Sequence, residues 1–195
     1  MTHITPKHRD ELSDLAPMLD MVEASMGFLP ASMMTMAHWQ ELTQAFGGLG
    51  ATILHGGEVD PGLKQMIAFA VSNVAGCRYC QAHTAHAAQK HHVSAEKIQA
   101  VFEFESSDLF SAQEKAALRV AVHAGMVPNA VNAEHMSDLL RHFSEQQVVE
   151  VVAVISMFGF LNRWNDTMAT TLESVPKHFA SNQLSSQGWV AGKHQ

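Results

Sequence analysis

The chain has 195 residues, 47% hydrophobic and 16% charged, with 12 Lys and Arg against 19 Asp and Glu for a net charge of −7. That length and apolar content fit one domain with a sizeable core and exclude a disordered chain. The acidic balance argues against binding a phosphate backbone, which needs clustered cations.

The first helix signal is Pro17, with Leu19, Val22, Ala24 and Met26 available for burial and Gly27 at the end. Pro30 opens a second helical segment, Ala31–Ala37, in which Met33, Met34 and Met36 read as gap-filling core before they read as a pocket. A longer helix around Trp39–Leu54 places Leu42, Ala45, Phe46 and Leu49 at helical spacing, and His55-Gly56-Gly57 breaks it. Asp60-Pro61 is a helix start, followed by Leu63, Ile67, Ala70, Val71 and Val74 up to Ala75-Gly76. Cys77–Lys90 reads as an alanine-rich helix, with His91-His92 as a solvated cap.

Ser94 caps a short helix to about Phe104. Ser111–Glu114 and Ser144–Gln147 are capping-box patterns ahead of Ala116–Ala124 and Val148–Leu161. Asn162–Glu173 continues as helix, and its Asn162-Arg163-Trp164-Asn165 cluster reads as a turn or a buried structural network. Residues 1–174 are therefore expected to form the helical domain and 175–195 a polar tail. A shift of 85 residues lays Leu63–Thr84 over Val148–Ala169 with similar hydrophobic positions, compatible with two similar helical hairpins. Val151–Leu161, the longest apolar stretch, is far short of the roughly 20 residues that span a bilayer. The first thirty residues lack a basic start followed by an apolar run, so a cytoplasmic location is expected.

Chemistry concentrates in Cys77-Arg78-Tyr79-Cys80-Gln81-Ala82-His83-Thr84-Ala85-His86, which holds the two cysteines of the chain. On a helix, Cys77, Cys80, His83 and His86 form one stripe. Neighbours three apart lie about 5–5.5 Å from each other, within disulfide reach. A thiol must lose its proton to attack, and His83, one turn after Cys80, can take it. A helix start at Cys77 would add the positive end of the dipole. Four ligands strung along about 13.5 Å of axis cannot all reach one zinc, so no metal site is read, although two or three could join ligands from another segment. Two buried cysteines with surface histidines remain the plainer alternative.

The run from Leu63 through Cys77-Arg-Tyr-Cys80-Gln-Ala-His83-Thr84 resembles the alkylhydroperoxidase D (AhpD) and carboxymuconolactone decarboxylase family. Gly27-Phe-Leu-Pro30 with Met36-Ala-His-Trp39, and Phe160-Leu-Asn-Arg163-Trp-Asn-Asp166, are similar to its opening segment and second helical half. Gly188-Trp189…Gly192-Lys193-His194 is similar to the ending of its longer, peroxidase-related members. The resemblance implies an all-α, AhpD-like helical bundle that assembles into homo-oligomers and has peroxidase or thiol–disulfide activity. It implies Cys80 as the attacking thiol, Cys77 as the resolving thiol and His83 as the proton relay. The expected partners are a small-molecule peroxide and an external dithiol reductant, with no cofactor, metal, nucleic acid or membrane.

Where the family often has a glutamate, twelve residues before the first cysteine, this chain has Gln65. An amide can orient His83 but cannot carry its proton. His86 is a further relay candidate, as are Glu58, by its nearness in sequence, and Glu150, by its matching place in the shifted alignment. A decarboxylase-type enzyme using His83 as acid–base, or a redox-responsive binding module, are the alternatives.

Overall fold

The computed structural model describes residues 2–195, and its elements are helical. They are α1 (Ala16–Met26), α2 (Ala31–Met36), α3 (Gln40–His55), α4 (Pro61–Ala75), α5 (Arg78–Lys90), α6 (Ala95–Gln99), α7 (Ala112–Gly125), α8 (Ala133–His142), α9 (Glu145–Met168) and α10 (Ser174–Gln183), joined by short 3₁₀ turns. Among the described residues there is no strand, and no helix is long and apolar enough to cross a membrane.

The bundle is built around α4. Asp60 caps it by accepting the Leu63 N–H, Pro61 fills the first position, and Gly76 closes it with φ +74. Every residue from Gly62 to Ser72 is buried, because α5, α7 and α9 cover α4 on several sides. Gly76 then turns the chain back, so that α5 packs along α4. Even Lys64 is inside; its ammonium donates to the carbonyls of Ile53 and Gly56 and lies 3.3 Å from Glu150. Met34 joins Leu12, Leu15, Leu19 and Ala37 in a smaller apolar cluster, so that methionine is core.

Three parts of the chain depart from the sequence reading. Helix α8 lies in a stretch for which no element was expected; Asn132 caps it and Leu139 is its buried anchor. Helix α9 runs unbroken from Glu145 to Met168, so the 85-residue shift lays the broken α4–α5 pair over one continuous helix. The position matching Gly76 is Leu161, which continues a helix where glycine ends one. Nor does helix extend to Glu173. Ala169 takes the left-handed conformation, φ +49, and the chain leaves the helix there.

The expected polar tail is folded. Residues 174–183 form α10, which packs on α5, and Phe179, Ala180, Leu184, Trp189, Ala191 and His194 are all buried. The polar composition hid an apolar stripe, Pro176, Phe179, Ala180 and Leu184, that recurs at helical spacing. Leu184→Ala should therefore destabilise the protein by about 2–5 kcal/mol, the range for emptying a core leucine site, when read by urea denaturation. A free tail would lose nothing.

Candidate active site

Helix α5 begins at the thiols. Cys77 is its N-cap, and its Sγ accepts the Cys80 N–H at 3.5 Å, which places Cys77 rather than Cys80 at the positive end of the helix. Cys80 sits one turn in. Both are free thiols and both are buried. Cys80 Sγ accepts a hydrogen bond from Asn165 Nδ2 of α9 at 3.3 Å. Burial pushes the Cys80 thiol well above its ordinary range, the Cys77 thiol adds to this, and the Asn165 amide pulls back the other way. At rest Cys80 is therefore protonated and needs a base before it can attack.

His83 occupies the next turn. Its Nε2–H donates to Glu173 Oε2 at 2.6 Å. Glu173 stands at the N-cap of α10, ninety residues away in sequence, and reaches the site because α9 ends at Ala169. Its second oxygen accepts the Tyr79 hydroxyl at 2.7 Å and the Ala31 N–H. Burial pushes the Glu173 carboxyl up, but the His83 charge and these hydrogen bonds outweigh it and hold it below the usual carboxylate range. Burial and the Glu173 charge raise Tyr79 well above its ordinary value, so it stays a donor. The His83 ring lies between Tyr79, stacked at 4.3 Å between centroids, and Phe28, edge-on at 5.4 Å.

The carboxylate expected opposite His83 is thus present, but it is Glu173. Gln65 is buried on α4 and forms no hydrogen bond with His83 among the described residues. Glu150 is engaged elsewhere: it accepts the Glu58 and Val59 N–H groups at 2.9 Å and neutralises Lys64. Glu58 meets Glu150 through its backbone, so the two acidic candidates share a structural knot at the start of α4. His86 packs on Phe179 at 5.6 Å, and burial, followed by the charges of Lys90 and His83, lowers its affinity for a proton. Among the described residues it makes no hydrogen bond to either thiol.

Sequence reading gave no site role to the residues that α9 and the C-terminal segment contribute, taking Asn162–Asn165 as a turn or a buried structural network. Asn165 touches Cys80, and its Oδ1 and both side-chain polar atoms of Asn162, one turn earlier, are buried without a partner among the described residues. A signal existed, since the 85-residue shift sets Asn162 against Cys77 and Asn165 against Cys80. On the Cys77 side, donor atoms of Cys77, Asp166 and His194 lie within 4.8 Å of one another. Asp166 is already engaged there, by His194 Nε2 at 3.2 Å on one oxygen and by the Lys193 ammonium at 3.1 Å on the other.

The carboxymuconolactone decarboxylase family profile matches residues 40–123. A cysteine-to-alanine variant of the debrominase Bmp8, in complex with 2,3,4-tribromopyrrole, is 36% identical with a TM-score of 0.87, the match covering 93% of this chain and 97% of that one. An uncharacterized peroxidase-related protein with an alkylhydroperoxidase AhpD core, from Ralstonia eutropha JMP134, shares the fold at 19% identity and a TM-score of 0.80, covering 90% of this chain and 94% of that one. The uncharacterized protein YnjA of Escherichia coli (strain K12) is 27% identical over 110 residues, which are 56% of this chain and 60% of YnjA, so the match spans less than two thirds of that relative. The chain belongs to the carboxymuconolactone decarboxylase family, which is enzymatic in general, and has the AhpD-like helical fold.

Proposed function

We propose that this protein is a dithiol oxidoreductase that reduces a small electrophile, with Cys80 attacking, Cys77 resolving and the His83–Glu173 pair handling the proton. The observation that carries this is the placement of two reduced, buried thiols at the start of one helix, followed one turn later by a histidine hydrogen-bonded to a buried carboxylate. With Nε2–H committed to Glu173, Nδ1 is the ring nitrogen left to take the Cys80 proton.

The favoured electrophile is the halogen of a small halogenated aromatic. The likeness to Bmp8 across almost the whole of both chains supports it, and so do the flat rings of Phe28 and Tyr79 flanking His83. In the first step the Cys80 thiolate bonds to bromine. The carbon–bromine pair stays on carbon, which takes the proton His83 had removed. In the second step the Cys77 thiolate attacks the Cys80 sulfur, the disulfide forms and bromide leaves. The substrate gains the two electrons that the thiols lose, and an external dithiol reopens the disulfide. The amide atoms of Asn162 and Asn165 that lack a partner among the described residues, one nitrogen and two oxygens, offer a donor group and two acceptors to orient a polar ring atom.

Peroxide reduction is the second reading, favoured by the same carboxylate-backed histidine. There Cys80 takes one peroxide oxygen as a sulfenic acid, His83 protonates the departing alkoxide, and Cys77 condenses with loss of water.

The test supplies a dithiol with a brominated pyrrole or with an alkyl hydroperoxide. Bromide release at one per dithiol oxidised supports the first reading, and peroxide loss without it supports the second. A decarboxylase would keep its activity after both cysteines are alkylated. A reduced, folded protein that turns over neither electrophile would overturn the proposal.

A further inference from the structure

A buried thiolate needs a hydrogen-bond donor, and for Cys80 that donor comes from α9. We propose that Asn165 is a catalytic residue of the attacking step: its side-chain amide holds the Cys80 sulfur as a thiolate once His83 has taken the proton. This rests on the dithiol reading above and adds to it a group outside the His83–Glu173 pair.

Four features carry it. Asn165 Nδ2 donates to Cys80 Sγ at 3.3 Å, and both residues are buried. Among the described residues no other hydrogen bond is donated to that sulfur, because the donors close to it in sequence are committed. The Cys80 N–H, at the positive end of α5, points to Cys77 Sγ, and the Thr84 hydroxyl donates to the Cys80 carbonyl. Asn165 is also anchored through its backbone, since its carbonyl accepts the N–H groups of Ala169 and Thr170 where α9 ends. Finally, Asn165 Oδ1 is buried without a partner among the described residues. A residue that only filled space here would do better apolar, since an unmade buried hydrogen bond costs stability. The sulfur accounts for a polar side chain in this place.

Charge explains why an amide suits it. Burial disfavours the Cys80 thiolate, as do Cys77 and the Asp166 carboxylate, while Asn165 acts the other way. An amide donates without adding a charge that must itself be desolvated. The other titratable groups on this side of the bundle are Tyr79 and His83 on α5, Glu173 at the start of α10, and His194 beside Cys77. On α4, Lys64 is taken by Glu150, and on α6, Lys97 is paired with Glu114. In the attacking step the proton moves from Cys80 to His83 and the electron pair left on sulfur is met by the Asn165 N–H. The same donor receives the Cys80 sulfur again when a reductant attacks Cys77 and reopens the disulfide.

The test is the pH dependence with which iodoacetamide alkylates Cys80 in the reduced, folded protein. Trypsin cleaves after Lys64, Arg78 and Lys90, so the two cysteines fall on different peptides and mass spectrometry reads each thiol separately. Asn165→Val fills much the same space without a donor, and Asn165→Ala is the smaller alternative if Asn165→Val does not fold. Either should move the midpoint of Cys80 alkylation up by about one pH unit, a tenfold loss of thiolate at a fixed pH below it. A merely structural Asn165 would alter the rate at every pH and leave the midpoint in place or, by admitting water, lower it. A folded variant with an unmoved or lowered midpoint would overturn this proposal alone. An unsubstituted protein whose two thiols form no disulfide on mild oxidation would overturn the dithiol reading and this proposal with it.

Discussion

Glu173→Gln is expected to lower dithiol-dependent turnover by about a hundredfold or more, the scale on which positioned acid–base groups act. The amide still accepts one hydrogen bond, so Tyr79 or His83 keeps a partner, but the negative charge that stabilises protonated His83 is gone. His83 then cannot hold the proton it takes from Cys80, whose burial already disfavours the thiolate. Steady-state turnover, with folding checked by circular dichroism, decides it; full activity in a folded variant would remove Glu173 from the mechanism. The same substitution has a signature in stability. Glu173 binds a proton more weakly in the folded chain than in the unfolded one, so its ionised form stabilises the fold above the ordinary carboxylate value of about 4.3. That contribution is lost as pH falls through the lowered native value. Urea denaturation from pH 7 downward should therefore show a shallower acid decline in Glu173→Gln than in the unsubstituted protein, with Glu150 and Glu114, also held below the usual range, supplying the remainder.

Cys80→Ser should remove turnover, by about a thousandfold or more, as loss of a nucleophile does. Cys77→Ser should stop the cycle after one half-reaction, leaving Cys80 as an adduct that mass spectrometry detects: a sulfenic acid with peroxide, or a mixed disulfide with an added thiol. The asymmetry matters more than either loss. Cys77 is better placed at the helix start, while Cys80 has the His83 side and the Asn165 amide. If Cys80→Ser, rather than Cys77→Ser, traps the adduct, the attacking and resolving roles are reversed.

The all-helical architecture was legible because punctuation coincides with periodicity. Asp60-Pro61, Gly76 and the Ser111 and Ser144 capping boxes do in the structure what their chemistry implies. The thiol pair was legible for the same reason, since three-residue spacing on a helix is a local property. Glu173 was not, because its position depends on where α9 stops, and Ala169 stops it without the glycine that usually marks a left-handed end. His194 was hidden in a segment whose polar average concealed its buried apolar stripe. Gln65 drew attention as a substitution within one helix; nothing local could indicate that a carboxylate arrives from ninety residues beyond His83.

Glu173 also ties the protonation of the site to the seating of residues 28–32. The carboxylate that meets His83 accepts the Ala31 N–H at the start of α2, just after Phe28 covers the imidazole edge and beside Ser32, whose N–H reaches the Tyr79 hydroxyl at 3.4 Å. Such sharing is reciprocal by thermodynamic necessity. Whatever factor the seated segment contributes to keeping Glu173 ionised is the factor by which ionised Glu173 keeps the segment seated. Displacing residues 28–32 would therefore raise the proton affinity of the carboxylate behind His83, and a proton arriving on that carboxylate would loosen the segment. The seating of residues 28–32 and the ionisation of Glu173 are two readings of a single equilibrium.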